Sequence, residues 1–146
     1  MIEKRLSTRL LGYWNGVRKN DDFPDIKRFN VGAIEDIWPN CFRVSVDQRG
    51  RVPAYKYEFM GETIAKVYGR DLTGMIVDKS TRQFPGKVIH HKFADIIKEC
   101  VPMQDEGHFI NEKGDLIKYR ACILPFGEQR KGITDIVVGL SCRVFR

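Results

Sequence analysis

Tyr68-Gly69-Arg70-Asp71-Leu72-Thr73-Gly74 is the stretch that decides how this chain folds. It lies between an alternating segment ending in Phe59-Met60-Gly61 and a periodic segment carrying Ile89, Phe93 and Ile97. The run reads as a helix stop, a capped turn and a second glycine. Such a run folds a short helical piece across the face of a sheet and leaves a pocket between helices and sheet. No catalytic motif accompanies it: the chain has no G-x-S-x-G elbow, no Walker loop, no G-x-G-x-x-G after a strand and no H-E-x-x-H.

Upstream, Phe42, Val44 and Val46 alternate with Arg43, Ser45 and Asp47. The turn Asp47-Gln48-Arg49-Gly50 then leads to a second strand with Tyr55, Tyr57 and Phe59 on one face, so a hairpin with an aromatic inner face is expected. Downstream, residues 87–99 read as a helix bounded by Pro85-Gly86 and Pro102. Three further strands are expected over 103–110, 116–125 and 133–144, joined at residues 111–115 and 127–132. At the start, Leu6, Leu10, Tyr13 or Trp14, and Val17 recur at helical spacing, which predicts an amphipathic helix ending near Asn20. Its stripe either caps the domain's own sheet or docks a partner, and Leu6, Leu10, Trp14 and Val17 are the interface residues in the second case. A turn-rich segment follows, and residues 31–38 read as a short helix stopped by Pro39.

Helices and strands thus fall in blocks, which predicts an α+β domain with an antiparallel sheet of five strands, a helical crossover and an N-terminal amphipathic helix. The expected division is a capping helix and turn over 1–30 and one globular unit over 31–146. At 146 residues such a chain buries a sizeable core without disulfides or metal. The longest apolar run, Ile136-Val137-Val138-Gly139-Leu140, is far short of the roughly 20 residues that cross a bilayer, and the N-terminus lacks a secretory signal core. A cytoplasmic protein is the plain reading, with no membrane partner.

Cys41, Cys100, Cys122 and Cys142 are widely spaced in apolar surroundings and read as structural free thiols, with no C-x-x-C pair and no zinc spacing among the histidines. The net charge of +6 invites a nucleic-acid reading, but acidic residues intersperse the basic N-terminal stretch and no basic run is long enough to be diagnostic.

The chain resembles the PAS fold, and within it the short PAS-like proteins of alphaproteobacteria once grouped as a domain of unknown function. The resemblance covers nearly the whole chain. Tyr13-Trp14, Phe23-Pro24, Pro39, Tyr57-Glu58-Phe59-Met60-Gly61 and Ile123-Leu124-Pro125-Phe126 carry it, together with Gly69-Arg70-Asp71-Leu72-Thr73-Gly74, its most specific element. It implies a sensory or protein-interaction module in signalling, without catalysis of its own, acting through another signalling protein or a homodimer. It also implies a pocket between the long helix and the inner sheet face. By strand alternation that pocket would gather Tyr55, Tyr57, Phe59, Tyr119 and Ile123, opposed by Ile89, Phe93 and Ile97, with His90 at the edge of the helix's apolar stripe.

Some PAS domains hold haem through a histidine on this helix, but His90 reads as a half-exposed surface histidine. Flavin photochemistry in this fold needs an Asn-Cys-Arg-Phe context on the crossover helices, whereas Asn40-Cys41-Phe42-Arg43 opens a strand. The alternatives from other classes are a pocket-bearing enzyme of NTF2-like type, for which His108 is the residue to watch, and a basic nucleic-acid-binding domain.

Overall fold

The computed structural model of the chain describes residues 2–77 and 86–146, with side chains over 6–77 and 92–146. Within them lie α1 (Ile2–Arg18), β1 (Cys41–Asp47), β2 (Ala54–Met60), α2 (Glu62–Tyr68), β3 (Ile76–Val77), α3 (Gly86–Glu99), β4 (Met103–Ile110), β5 (Leu116–Glu128) and β6 (Gly132–Phe145). The strands form one antiparallel sheet in the order β3-β2-β1-β6-β5-β4. The α+β class and the antiparallel sheet are as the sequence predicts, but the sheet has six strands and not five. The extra one, β3, pairs Ile76 and Val77 with Lys56 and Tyr55, and two residues are too few to display a period of two.

β1 lies against β6, so the centre of the sheet joins a strand from early in the chain to the last one. Register separates two faces. Phe42, Val44, Ile136, Val138, Leu140, Ala121 and Ile123 share the inner face, under α3. Cys41, Arg43, Val137, Gly139, Cys122 and Leu124 share the outer face, under α1. A Cβ on Gly139 would lie 2.3 Å from Leu10 Cδ1, which shows how closely α1 seats on β6.

That seating uses the apolar stripe itself. Leu6, Leu10 and Trp14 are buried, and Trp14 Nε1 donates a 2.7 Å hydrogen bond to the Pro125 carbonyl oxygen on β5. Those three side chains therefore face the chain's own sheet and are not available as a docking surface, while Val17 is half-buried. The helix ends at Arg18, ahead of Lys19 at positive φ.

Residues 31–38 do not form one helix. Two 3₁₀ turns, Val31–Ile34 and Trp38–Asn40, replace it, with Asn30 Oδ1 accepting from the Gly32 N–H at 3.0 Å. A stretch this short, ending at a proline without an N–H, closes i→i+3 bonds more readily than a full α-helical ladder.

The run 68–74 is a staple. Gly69 ends α2 at φ +117, its N–H reaching the Ala65 carbonyl at 2.9 Å. Asp71 Oδ1 accepts from the Thr73 N–H at 2.9 Å and from Thr73 Oγ1 at 2.6 Å, and Leu72 is buried. Gly74, at φ +92, donates to the Tyr57 carbonyl at 2.7 Å and so ties the turn to β2. Buried Asn111 fixes the other end, donating from Nδ2 to the Val67 carbonyl at 2.8 Å while Oδ1 accepts from the N–H groups of Lys113 and Asp115. Both lone pairs of that amide's oxygen and one of its N–H bonds are thereby used away from water.

Cys41 and Cys122 are buried on the outer face, one on each side of Gly139, and burial pushes both thiols up to about 12. A thiol so far from ionisation is a poor nucleophile. Ellman's reagent at mildly alkaline pH is expected to leave both unmodified in the native chain and to reach them after unfolding in guanidinium. Rapid native labelling of either, located by peptide mass mapping, would contradict this packing.

Candidate functional site

The inner face brings together most of the residues that strand alternation points to. Tyr55 meets Phe93 of α3 edge to face, with ring centroids 5.0 Å apart at 67°, and Phe42 lies 5.3 Å from Tyr57. Ile123, Phe93 and Ile96 are fully buried, and Ile97 packs half-buried against the same core. Burial pushes the Tyr55 phenol up to about 12 and the Tyr57 phenol higher still, so both stay neutral over the physiological range. The side chains of Ile89 and His90 lie outside the described residues.

At the β4 side of this face stands a polar pair that sequence reading did not single out. Tyr119 Oη donates to Asp105 Oδ2 at 3.3 Å. Burial, and then the negative charge of Asp105 that accepts its hydrogen bond, hold the Tyr119 phenol well above its ordinary range. Gly107 sits opposite Tyr119 in the β4–β5 register, and a Cβ there would come within 2.6 Å of Oη. Only a glycine leaves the ring its place. A glycine inside a strand is the one sequence signal that marks such a close approach. The arrangement offers a buried phenol and a half-buried carboxylate beside the ring of Phe109, 6.2 Å from that of Tyr119: groups that can orient the polar end of a small molecule.

Phe59 is not part of this face. The β1–β2 register slips between Arg43 and Val44, pairing Arg43 with Phe59 and Val44 with Tyr57, so Glu58 is an extra residue on β2. The bulge turns Phe59 toward the outer side, where it stacks on Trp38 at 4.7 Å and 12°. Trp38 in turn lies 5.4 Å from Phe29, which meets Phe126 at 5.3 Å and carries the Arg43 guanidinium 5.8 Å over its ring. Arg43 also pairs with buried Asp135, Nη2 to Oδ2 at 2.8 Å. Burial raises the Asp135 carboxyl above its ordinary range even against the pull of Arg43. Beside Trp38 and Phe59 opens a groove of about 680 Å³, with Pro39, Met60 and Ala65 on its apolar floor and the ion pair Lys66–Glu62 on its rim.

His108 lies on the outer face, exposed, opposite Lys118 of β5. It cannot supply a buried histidine to an acid–base pair in the inner pocket. Among the described residues no group of three or more His, Cys, Asp or Glu is placed to hold a metal ion, and no helix is long and apolar enough to cross a membrane.

A sheet with α3 across its inner face, α1 across its outer face and a stapled crossover after β2 is the architecture of a PAS-like α+β domain. The family model described as PAS domain matches residues 2–141, and the chain belongs to that family. Its fold is similar to that of a variant of RsLOV, at 10% identity and a TM-score of 0.50, over 75% of this chain and 65% of that one. It is also similar to the PAS domain of a protein from Colwellia psychrerythraea, at 12% identity and a TM-score of 0.50, over 79% of this chain and 96% of that one. The chain thus spans just under two thirds of the RsLOV chain it matches. No functionally curated protein matches it by sequence.

Proposed function

We propose that this protein is a non-catalytic PAS-type sensory and interaction module of cytoplasmic signal transduction, with a small molecule seated between α3 and the inner face of the sheet. The observation that carries the ligand is the Tyr119–Asp105 pair beside Gly107, a polar handle next to the ring of Phe109, whose centroid lies 6.2 Å from that of Tyr119. Its chemistry suits a largely apolar molecule with one hydrogen-bonding end. The proposed ligand is neither haem, for which His90 is the axial candidate, nor flavin, whose cysteine context falls here on β1. Response follows population shift: a ligand that binds one arrangement of α3 on the sheet more tightly than another moves the balance between them by that difference in affinity.

Native mass spectrometry of the freshly purified chain, compared with its denatured mass, tests the reading. The expected result is a reproducible mass excess lost on denaturation and much reduced in Tyr119→Phe, which keeps the ring and removes the hydroxyl. An excess that is indifferent to Tyr119→Phe would remove the polar handle from the site. A bare native mass that no added apolar acid or alcohol increases would overturn ligand sensing.

A further inference from the structure

Beyond the reach of the Leu6–Trp14 stripe, the outer face of β4, β5 and β6 is open. Register sets Ile110, Leu116 and Phe145 in one row across the three strands, and His108, Lys118 and Arg143 in the next. Ile110 is 59% exposed and Phe145 41%, and His108, Lys118 and Arg143 are exposed as well. Lys118 and Arg143 face each other directly across the strands, an arrangement of like charges that works against folding. The neighbouring cations are neutralised, Arg120 by Glu106 at 2.9 Å and Arg146 by Asp115 at 3.7 Å. Among the described residues no carboxylate lies within ion-pair distance of Lys118 or Arg143. Both turn instead to the one exposed ring between them, Lys118 Nζ at 5.2 Å and Arg143 at 5.8 Å from the Phe145 centroid.

We infer that this face docks an acidic segment of another protein, whose carboxylates meet Lys118 and Arg143 while an apolar side chain rests on the Ile110, Leu116 and Phe145 row. The inference rests on the reading of the chain as an interaction module but not on the inner-face ligand. Three strands are about 10–14 Å across, the width of a single helix or extended segment. A second copy of this chain fits less well, because an isologous contact centred on this patch brings two such cationic pairs together in one interface. Nucleic acid fits less well, since a base stacks on a free aromatic face and Phe145 is the only aromatic of this row, already engaged by two cations. The carboxylates of the partner relieve a repulsion that the free chain sustains.

The probe is a fluorescently labelled amphipathic peptide of glutamate and leucine, titrated against the full chain by anisotropy. Saturable binding is expected, weakened about tenfold or more by Lys118→Glu with Arg143→Glu together and measurably by Phe145→Ala. Lys118→Glu alone is expected to weaken binding while leaving the melting temperature equal or higher, because the reversed charge then faces Arg143 across the strands. Lost binding with gained stability separates a docking residue from a structural one. The inference is overturned if the native chain does not bind the peptide saturably, or if charge reversal leaves the affinity unchanged. It is equally overturned if a single-stranded oligonucleotide of the same charge binds more tightly than the peptide, or if sedimentation shows that Lys118→Glu abolishes a dimer. The mass measurement on the inner face reads a different site, so either reading can fail while the other stands.

Discussion

Trp14→Ala is expected to destabilise the chain by about 3–5 kcal/mol, the range for removing a buried tryptophan from a packed core. Trp14 is 4% exposed, between α1 and the sheet, and its indole N–H is the partner of the Pro125 carbonyl at 2.7 Å. Truncation removes the ring, leaves a cavity and strips a buried carbonyl of its donor, three losses at one position. Trp14→Phe restores most of the volume but not the hydrogen bond, and about 1–2 kcal/mol of the loss is expected to remain. Urea unfolding followed by circular dichroism measures both, with the slope unchanged and the midpoint lowered. Dilution distinguishes a stripe that packs within the chain from one that packs between copies. A loss that is independent of protein concentration matches the buried position of Trp14, whereas a loss that appears only on dilution would return α1 to the role of an interface.

Gly61→Ala is expected to cost about 3 kcal/mol or more, at or beyond the upper end of the usual overpacking penalty. Gly61 has φ −64 and ψ 150, a conformation any residue adopts, so backbone freedom is not the reason. Contact is. A Cβ there would lie 2.2 Å from the Pro39 carbonyl oxygen and 2.8 Å from that of Cys41, both backbone atoms with nowhere to rotate. Moving Gly61 away breaks its own 2.7 Å hydrogen bond to Cys41 and opens the junction between β2 and α2. Gly74→Ala is the matched control: nothing lies within 4 Å of its Cβ position, but φ is +92. Its expected loss is only about 1–2 kcal/mol, from the left-handed backbone alone. Thermal unfolding of the two variants under one set of conditions decides the point, and equal losses would mean that the approach of Pro39 to Gly61 is looser than this structure has it.

Much of this was legible in the chain. The spacing of Leu6, Leu10 and Trp14 predicts a helix with one apolar face, and the hairpins on either side of the long helix follow from alternation and turn residues. The turn at 68–74 is written in residues whose backbone preferences are strong and local: glycine at positive φ, and aspartate capping two residues ahead. What strand alternation could not supply is the bulge at Glu58, because the slip exists only in the pairing of β2 with β1. One extra residue there moves Phe59 from the predicted pocket to a stack on Trp38, and Phe29, Trp38 and Phe126 become a second aromatic cluster that no periodicity announces.

The polar pair of the candidate site has the same character. Tyr119 is visible as an inward residue of its strand, but its partner Asp105 and the space above its ring at Gly107 come from a different strand in a particular register. The cationic pair on the outer face arises likewise, since Lys118 and Arg143 are 25 residues apart in sequence and meet only because β5 and β6 align them. By itself, then, the sequence determined the two long helices, the hairpins, the α+β class and the family resemblance, because periodicity, capping and turn chemistry act over a few neighbouring residues. The tertiary structure alone decided which side chains face one another, because register, bulges and the seating of α1 are properties of two segments at once and neither segment contains them.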